Sequence, residues 1–428
     1  MMDRFSLAAL LCVLAGPGVA ASDSEARLCS DARLEPPLRV EACSRALALR
    51  DLTRQQHLLL LGARASALDE LGDHARAIAD FDSALVLAPD DAALHLNRGA
   101  AKIHDGRPAD AIADYDAAIR IRPDWHLPYF NRAVALTDLG RRVAALEDYE
   151  RAIRLKPDDA WIYVGQGDVL AASGDALRAI ESYDKALALR PELDDPRAKR
   201  ANLLLRLDRP AEALRELDRV LAANRSKAPL WRSRGEASFQ LARYADAAAD
   251  LEQAHALAPR DGDVRRALAR AYLGTGDAEA AWRTLSPDLD LTDDAADLTL
   301  AAMVAMPTDR LSIADALVRR AIDLQPGNAT AQAILALALR RQGDAQLARD
   351  AAELAVAFAP DDAEIAAVAS FAGAETRVDR APLALPTKTP AQAARAACVA
   401  DLSSGDLPAA RAAGAAWSLC HLAAQSTK

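Results

Sequence analysis

Tandem pairs of antiparallel helices, an all-α fold, are what this sequence predicts, and three observations predict them. Prolines recur at 89, 123, 157 and 191, then at 259, 326 and 360, at an interval of 34 or close to its multiple. Alanine recurs in step with them, at 77, 111, 145, 179, 213, 247, 281, 314 and 348. The composition is 51% hydrophobic but only 4% aromatic, and about a quarter of the chain is alanine. Such side chains cannot fill a wide interior or a β-sandwich, whereas they suit helices that approach closely. With 428 residues the chain exceeds what one core usually serves.

The chain opens on a short charged start (Met1 to Arg4), an apolar run from Phe5 to Leu14 and a Gly16-Pro17-Gly18 break before Val19-Ala20-Ala21-Ser22. This pattern predicts a secretory signal peptide over 1–21, cut after Ala20 or Ala21, because the run is too short to span a bilayer. Its removal takes Cys12 away and leaves four cysteines, Cys29, Cys43, Cys398 and Cys420, an even number for an oxidising compartment. Richness in alanine and arginine adds a bacterial periplasm as the expected destination. The net charge of −10, with signs intermixed, argues against a nucleic-acid partner. No later segment is long and apolar enough for a membrane span.

If the recurrent proline is position 32, units start at Leu58, Ala92, His126, Ala160, Asp194, Ala228, Gly262, Ala295 and Ala329, about nine in all over 58–362. The unit near 293 is one residue short and lacks its proline. Position 8 is Gly or Ala throughout, position 20 is always Ala, and position 27 is Ala except at Val220 and Asp288. Position 24 runs Phe81, Tyr115, Tyr149, Tyr183 and then Leu217, Leu251, Leu285, while glycine often holds the turn at position 15. Positions 4, 8 and 11 share one stripe of a first helix, and 20, 24 and 27 one stripe of a second. Small residues at 8 and 20 let the two close, the large residue at 24 fills the space beside them, and proline ends the second helix.

With a small residue at 8, Ala at 20 and 27, an aromatic at 24 and Pro at 32, the chain resembles the tetratricopeptide repeat family over residues 58 to 362. The resemblance implies a right-handed superhelical solenoid whose ends need sealing from water. Residues 22–57 are then a capping segment. Its Glu41-Ala42-Cys43 stretch is similar to the start of other exported bacterial repeat proteins, which implies a disulfide between Cys29 and Cys43. A closing helix is expected over 363–375, a Pro- and Thr-rich linker over 376–390, and a degenerate helical hairpin over 391–428 with its turn at Gly405-Asp406. Cys398 and Cys420 fall at positions 8 and 30 of that last unit, out of disulfide reach in a regular hairpin. Either the tail is not a regular repeat, or these two cysteines do not pair.

Nothing in the sequence points to catalysis. No two of the seven histidines show metal-ligand spacing with a carboxylate or cysteine, and nucleophile elbows, phosphate loops and Cys-x-x-Cys pairs are missing. Neither a metal nor a cofactor is expected. The acid pairs Asp90-Asp91, Asp158-Asp159 and Asp361-Asp362 follow the repeat proline and read as helix starts.

A binding surface is what remains. In the family, positions 2, 5, 9 and 12 of the first helix line the concave groove. Those slots hold Leu96, Ile103, Leu127, Phe130, Val134, Trp161 and Val164 in units two to four, and Arg232, Glu236, Phe239, Arg266 and Arg270 in units six and seven. The expected ligand is an extended peptide or partner helix with an apolar anchor and acidic residues. The competing reading packs the apolar residues against the next unit and leaves the arginines solvated. The family's carboxylate clamp for chaperone tails is absent, since Gly62 and Leu96 stand at position 5 where it needs a cation. The sequence therefore predicts an exported, non-catalytic protein-interaction scaffold. A glycan- or cell-wall-binding accessory to an envelope enzyme is the alternative.

Overall fold

The computed structural model describes residues 20–49, 51–290, 292–308, 310–373, 389–404, 407–412 and 418–425. The signal peptide expected over 1–21 lies outside them but for its last two residues, as does the linker over 376–390 but for Thr389 and Pro390. The turn at Gly405-Asp406 also lies outside. The described residues contain helices and no strand, and they form two compact units, Met1–Leu193 and Asp194–Lys428.

The first unit opens with α1 (Ala20–Ser30) and α2 (Pro36–Leu47), joined by a Cys29–Cys43 disulfide. Cys29, Ala42, Cys43 and Ala46 are buried with Leu60 of the following helix, so this hairpin covers the apolar end of the array. Four hairpins follow, each with a first helix, A, and a second, B. They are α3 (Arg54–Glu70) with α4 (His74–Leu87), α5 (Ala92–His104) with α6 (Pro108–Ile121), α7 (His126–Asp138) with α8 (Arg142–Leu155), and α9 (Ala160–Ala172) with α10 (Ala176–Leu189). Helix A starts at the first residue of the 34-residue frame in each except the first. There, a capping box between Thr53 and Gln56 begins α3 four residues earlier.

The second unit continues with α11 (Asp194–Arg206) and α12 (Pro210–Ala223), α13 (Ala228–Gln240) and α14 (Tyr244–Leu257), and α15 (Gly262–Thr275) and α16 (Ala278–Leu285). Then come α17 (Ala295–Ala305) with α18 (Leu311–Leu324) and α19 (Ala329–Gln342) with α20 (Ala345–Phe358). The short unit near 293 has a physical cause. Pro287 stops α16 early, and a 3-10 turn at Ser286–Asp288 replaces its last turn.

Local chemistry sets the helix ends. The second aspartate of each acid pair is a cap: Asp91 accepts from the backbone of Ala93 and Leu94, Asp159 from Trp161, and Asp362 from Glu364 and Ile365. Among the described residues position 15 is left-handed whether or not it is glycine, with φ of 73° at Gly106 and 57° at both Asp208 and Ala242.

In the core, Ala65 with Ala77, Ala133 with Ala145 and Ala201 with Ala213 are all fully buried. The same interface carries an ionic ladder. An arginine at position 7 of helix A meets an acid at position 23 of helix B: Arg64 with Asp80, Arg98 with Asp114, Arg132 with Asp148, Arg200 with Glu216, and Arg234 with Asp250. The other edge of the guanidinium reaches back to position 25 of the preceding hairpin, from Arg98 to Asp82, Arg132 to Asp116 and Arg234 to Asp218. The fourth hairpin keeps the contact without charge, the Ser182 hydroxyl donating to Gln166 Oε1 at 3.0 Å. Asp148 and Asp116 hold the Arg132 guanidinium well above its ordinary range against the opposing effect of burial.

The tail departs from the degenerate hairpin expected over 391–428. After α21 (Ala363–Ala372) come three helices, α22 (Pro390–Ser404), α23 (Leu407–Ala412) and α24 (Leu419–Gln425), and α24 packs on both α21 and α22. Cys398 and Cys420 therefore meet in a disulfide, their Cα atoms 6.1 Å apart. Two antiparallel helices would hold these cysteines apart, and a third helix that folds back removes the offset. Buried Glu364 of α21 joins α22 and α24, its Oε1 accepting from the Cys420 backbone N–H at 2.9 Å and its Oε2 from Arg395 Nε at 2.7 Å.

Candidate functional site

The groove residues lie on successive A helices, which pack side by side because each repeat advances by one helix pair: α5 on α7 and α7 on α9. A residue next to the packing stripe is turned by about 100° from it, so it faces either the neighbouring A helix or solvent. The structure divides the predicted set along that line.

Leu96 of α5 and Val164 of α9 are buried, Leu96 beside Ala111, Tyr115 and Ala135, and Val164 beside Ala160 and Tyr163. Ile103 and Leu127 are half-buried against the Leu96 cluster. Phe130 and Val134 of α7 are half-buried against the core around Tyr129 and Tyr149, and the Phe130 ring meets Tyr149 edge-on at 6.1 Å. Trp161 is half-buried beside Val164. Five of the seven apolar residues thus keep a face towards solvent, and the other two are buried.

In the second unit the arginines meet the chain's own acids. Arg232 Nη1 lies 3.2 Å from Asp263 Oδ2. Arg266 contacts Asp263, Asp294 and Asp297, and its guanidinium is held above the ordinary range, chiefly by the Asp297 carboxylate. Arg270 sits 5.0 Å from the centre of the Phe239 ring. The acidic partner expected for this stretch is supplied, at Arg232 and Arg266, by the next A helices of the same chain. Asp263 and Asp297 each lie 31 residues after the arginine they meet, Arg232 and Arg266.

Two arrangements went unread in the sequence. One is the ionic ladder, whose signal was an arginine and an acid sixteen residues apart in successive units. The other lies outside what sequence spacing could show: Asp69, His74 and His104 come together in space, with one ligand atom of each within 4.8 Å of the others. The two histidines, 30 positions apart in the sequence, follow no motif spacing, because they belong to different repeats.

Family models described as tetratricopeptide repeats match residues 63–124 and 300–363, residues 170–234 and 238–303, and residues 135–174. No curated protein matches the chain. Among solved structures, one is described as YrrB, a TPR protein with an unusual peptide-binding site; it is 21% identical, covers 51% of this chain and 95% of its own, and has a TM-score of 0.39. MamA (41-end) from Desulfovibrio magneticus RS-1 is 23% identical over 39% of this chain and 94% of its own, with a TM-score of 0.38. A tetratricopeptide repeat protein from Parabacteroides merdae is 18% identical over 62% of this chain and 99% of its own, with a TM-score of 0.43. With the register, the hairpins and family matches over more than half of its length, the chain belongs to the tetratricopeptide repeat family.

Proposed function

We propose that this protein is an exported, non-catalytic scaffold of the periplasm or cell envelope that holds a peptide or helix of a protein partner against its A helices. Membership of a family of interaction modules supports the scaffold role. Two disulfides are compatible with an oxidising compartment, and no helix among the described residues is long and apolar enough to cross a membrane.

The observation that carries the binding reading is the half-exposed row of Ile103, Leu127, Phe130, Val134 and Trp161 on α5, α7 and α9. Large apolar side chains that keep one face in water beside a buried core are what an apolar anchor docks on. The arginines of α13 and α15 brace successive A helices in this reading, so the partner's main contacts are apolar.

The test is fluorescence binding of a peptide array, varied in apolar and acidic content, to the wild type and to a Phe130→Ala, Trp161→Ala double variant. Binding of apolar-anchored peptides should weaken by about tenfold or more in the double variant, with helicity by circular dichroism retained. Equal binding by both proteins would remove this row from the site. Binding that tracks acidic content and is lost in Arg232→Ala would move the site to the second unit.

A further inference from the structure

We propose that Asp69, His74 and His104 form a binding site for a divalent first-row transition ion of the zinc type, joining the first repeat to the second. Asp69 is in the last turn of α3, His74 is the first residue of α4, and His104 is the last residue of α5. The left-handed turn at Gly72 folds the chain back so that His74 returns onto Asp69, with Nδ1 2.8 Å from Oδ1. His104 reaches the same carboxylate from the next repeat, its Nδ1 3.2 Å from Oδ1 and 3.0 Å from Oδ2.

The two imidazoles lie 5.5 Å apart, tilted by 46°, so each turns Nδ1 towards the one carboxylate. An ion held by imidazole nitrogen and carboxylate oxygen at about 2.0–2.2 Å in a tetrahedron keeps neighbouring ligand atoms roughly 3.3–3.6 Å apart. The observed nitrogen–oxygen separations of 2.8 to 3.2 Å lie inside that edge, so an outward shift of the side chains by less than about 1 Å admits the ion.

Two imidazole nitrogens and a single carboxylate select a transition ion over magnesium or calcium, which prefer oxygen-only shells. The side chains are 17%, 23% and 40% exposed for Asp69, His74 and His104, leaving the cluster open on one side for water as a fourth ligand. The ligands come from three helices of two repeats, so a bound ion would tie the turn edge of one repeat to the next and stabilise that pair by mass action.

The experiment uses the tag-free full chain, stripped with EDTA, titrated calorimetrically with zinc chloride and followed by its melting temperature. Cobalt chloride gives an independent readout through the visible absorption of a tetrahedral centre. The expected result is one high-affinity equivalent per chain and a higher melting temperature, with affinity reduced at least tenfold in His104→Gln and lost in the His74→Gln, His104→Gln double variant. His104 is the most exposed of the three, so its single variant keeps the test decisive if the double variant fails to fold. No zinc uptake by the wild type, unchanged uptake in His104→Gln, or an equal response to magnesium chloride would each overturn the proposal.

Discussion

Gly99 and the ring of Tyr115 share one space: a Cβ on Gly99 would lie 2.6 Å from Tyr115 Cε1. The same relation holds between Gly167 and Tyr183. In the third repeat, position 8 is Ala133, and the Tyr149 ring instead lies against Gly165 of the next A helix, again 2.6 Å from where a Cβ would stand. The glycine follows the ring. Gly99→Ala and Gly165→Ala should each lower stability by about 1–3 kcal/mol through overpacking, seen as a lower thermal midpoint. Gly62→Ala, where the nearest atom is Leu94 Cδ2 at 3.5 Å, should change it little.

Asp114 makes stability depend on acid. Burial works to raise its carboxyl, but Arg98 and Lys102 together hold it below the usual carboxylate range. The folded value is lower than the unfolded one, so the contribution is complete above the unfolded value of about 3.9 and is lost as pH falls through the folded value. Asp114→Asn should destabilise by about 1–3 kcal/mol at pH 7 by leaving two cations under-compensated. Denaturation curves from pH 7 to pH 3 should show the gap between wild type and variant narrowing only in the acid part of that range.

Ala242 adopts φ 57° at a turn position where most other repeats place glycine. A side chain with a Cβ is strained there, so Ala242→Gly should stabilise by about 0.5–1 kcal/mol even though glycine adds freedom to the unfolded chain. Urea unfolding that moves to a lower midpoint would contradict this account.

Glu364 anchors the tail. Glu364→Ala removes the acceptor for Arg395 and for the Cys420 backbone, and should cost about 2–4 kcal/mol locally. Hydrogen exchange should accelerate over 390–425 while the first unit exchanges as before. Adding a reductant that opens Cys398–Cys420 should increase the effect, because that bond also fixes α24 to α22.

How far the fold was legible follows from which contacts repeat. Ala77, Ala111 and Ala145 could be read because each unit needs the same small residue at the same place, so the chain supplies its own comparison. The pairing of Cys398 with Cys420 could not be read, because α24 has no counterpart among the repeats and its path is set by its packing on α21 and α22. In the groove, periodicity placed Phe130 and Val164 on one face. It could not tell that Val164 is covered while Phe130 keeps a face in water, which depends on what the neighbouring helix carries. Asp69, His74 and His104 left no signal at all, since their ligand atoms meet only after two repeats are stacked.

The ladder of arginines also bears on how such a chain can change length. Asp82 is sixteen residues before Arg98, and Asp116 stands in the same relation to Arg132. Excising residues 92–125 would bring Arg132 onto Asp82 at that same separation, with its own Asp148 untouched. Arg132 would find in Asp82 the same partner it has in Asp116, so this module can be dropped without leaving a stranded charge at the seam.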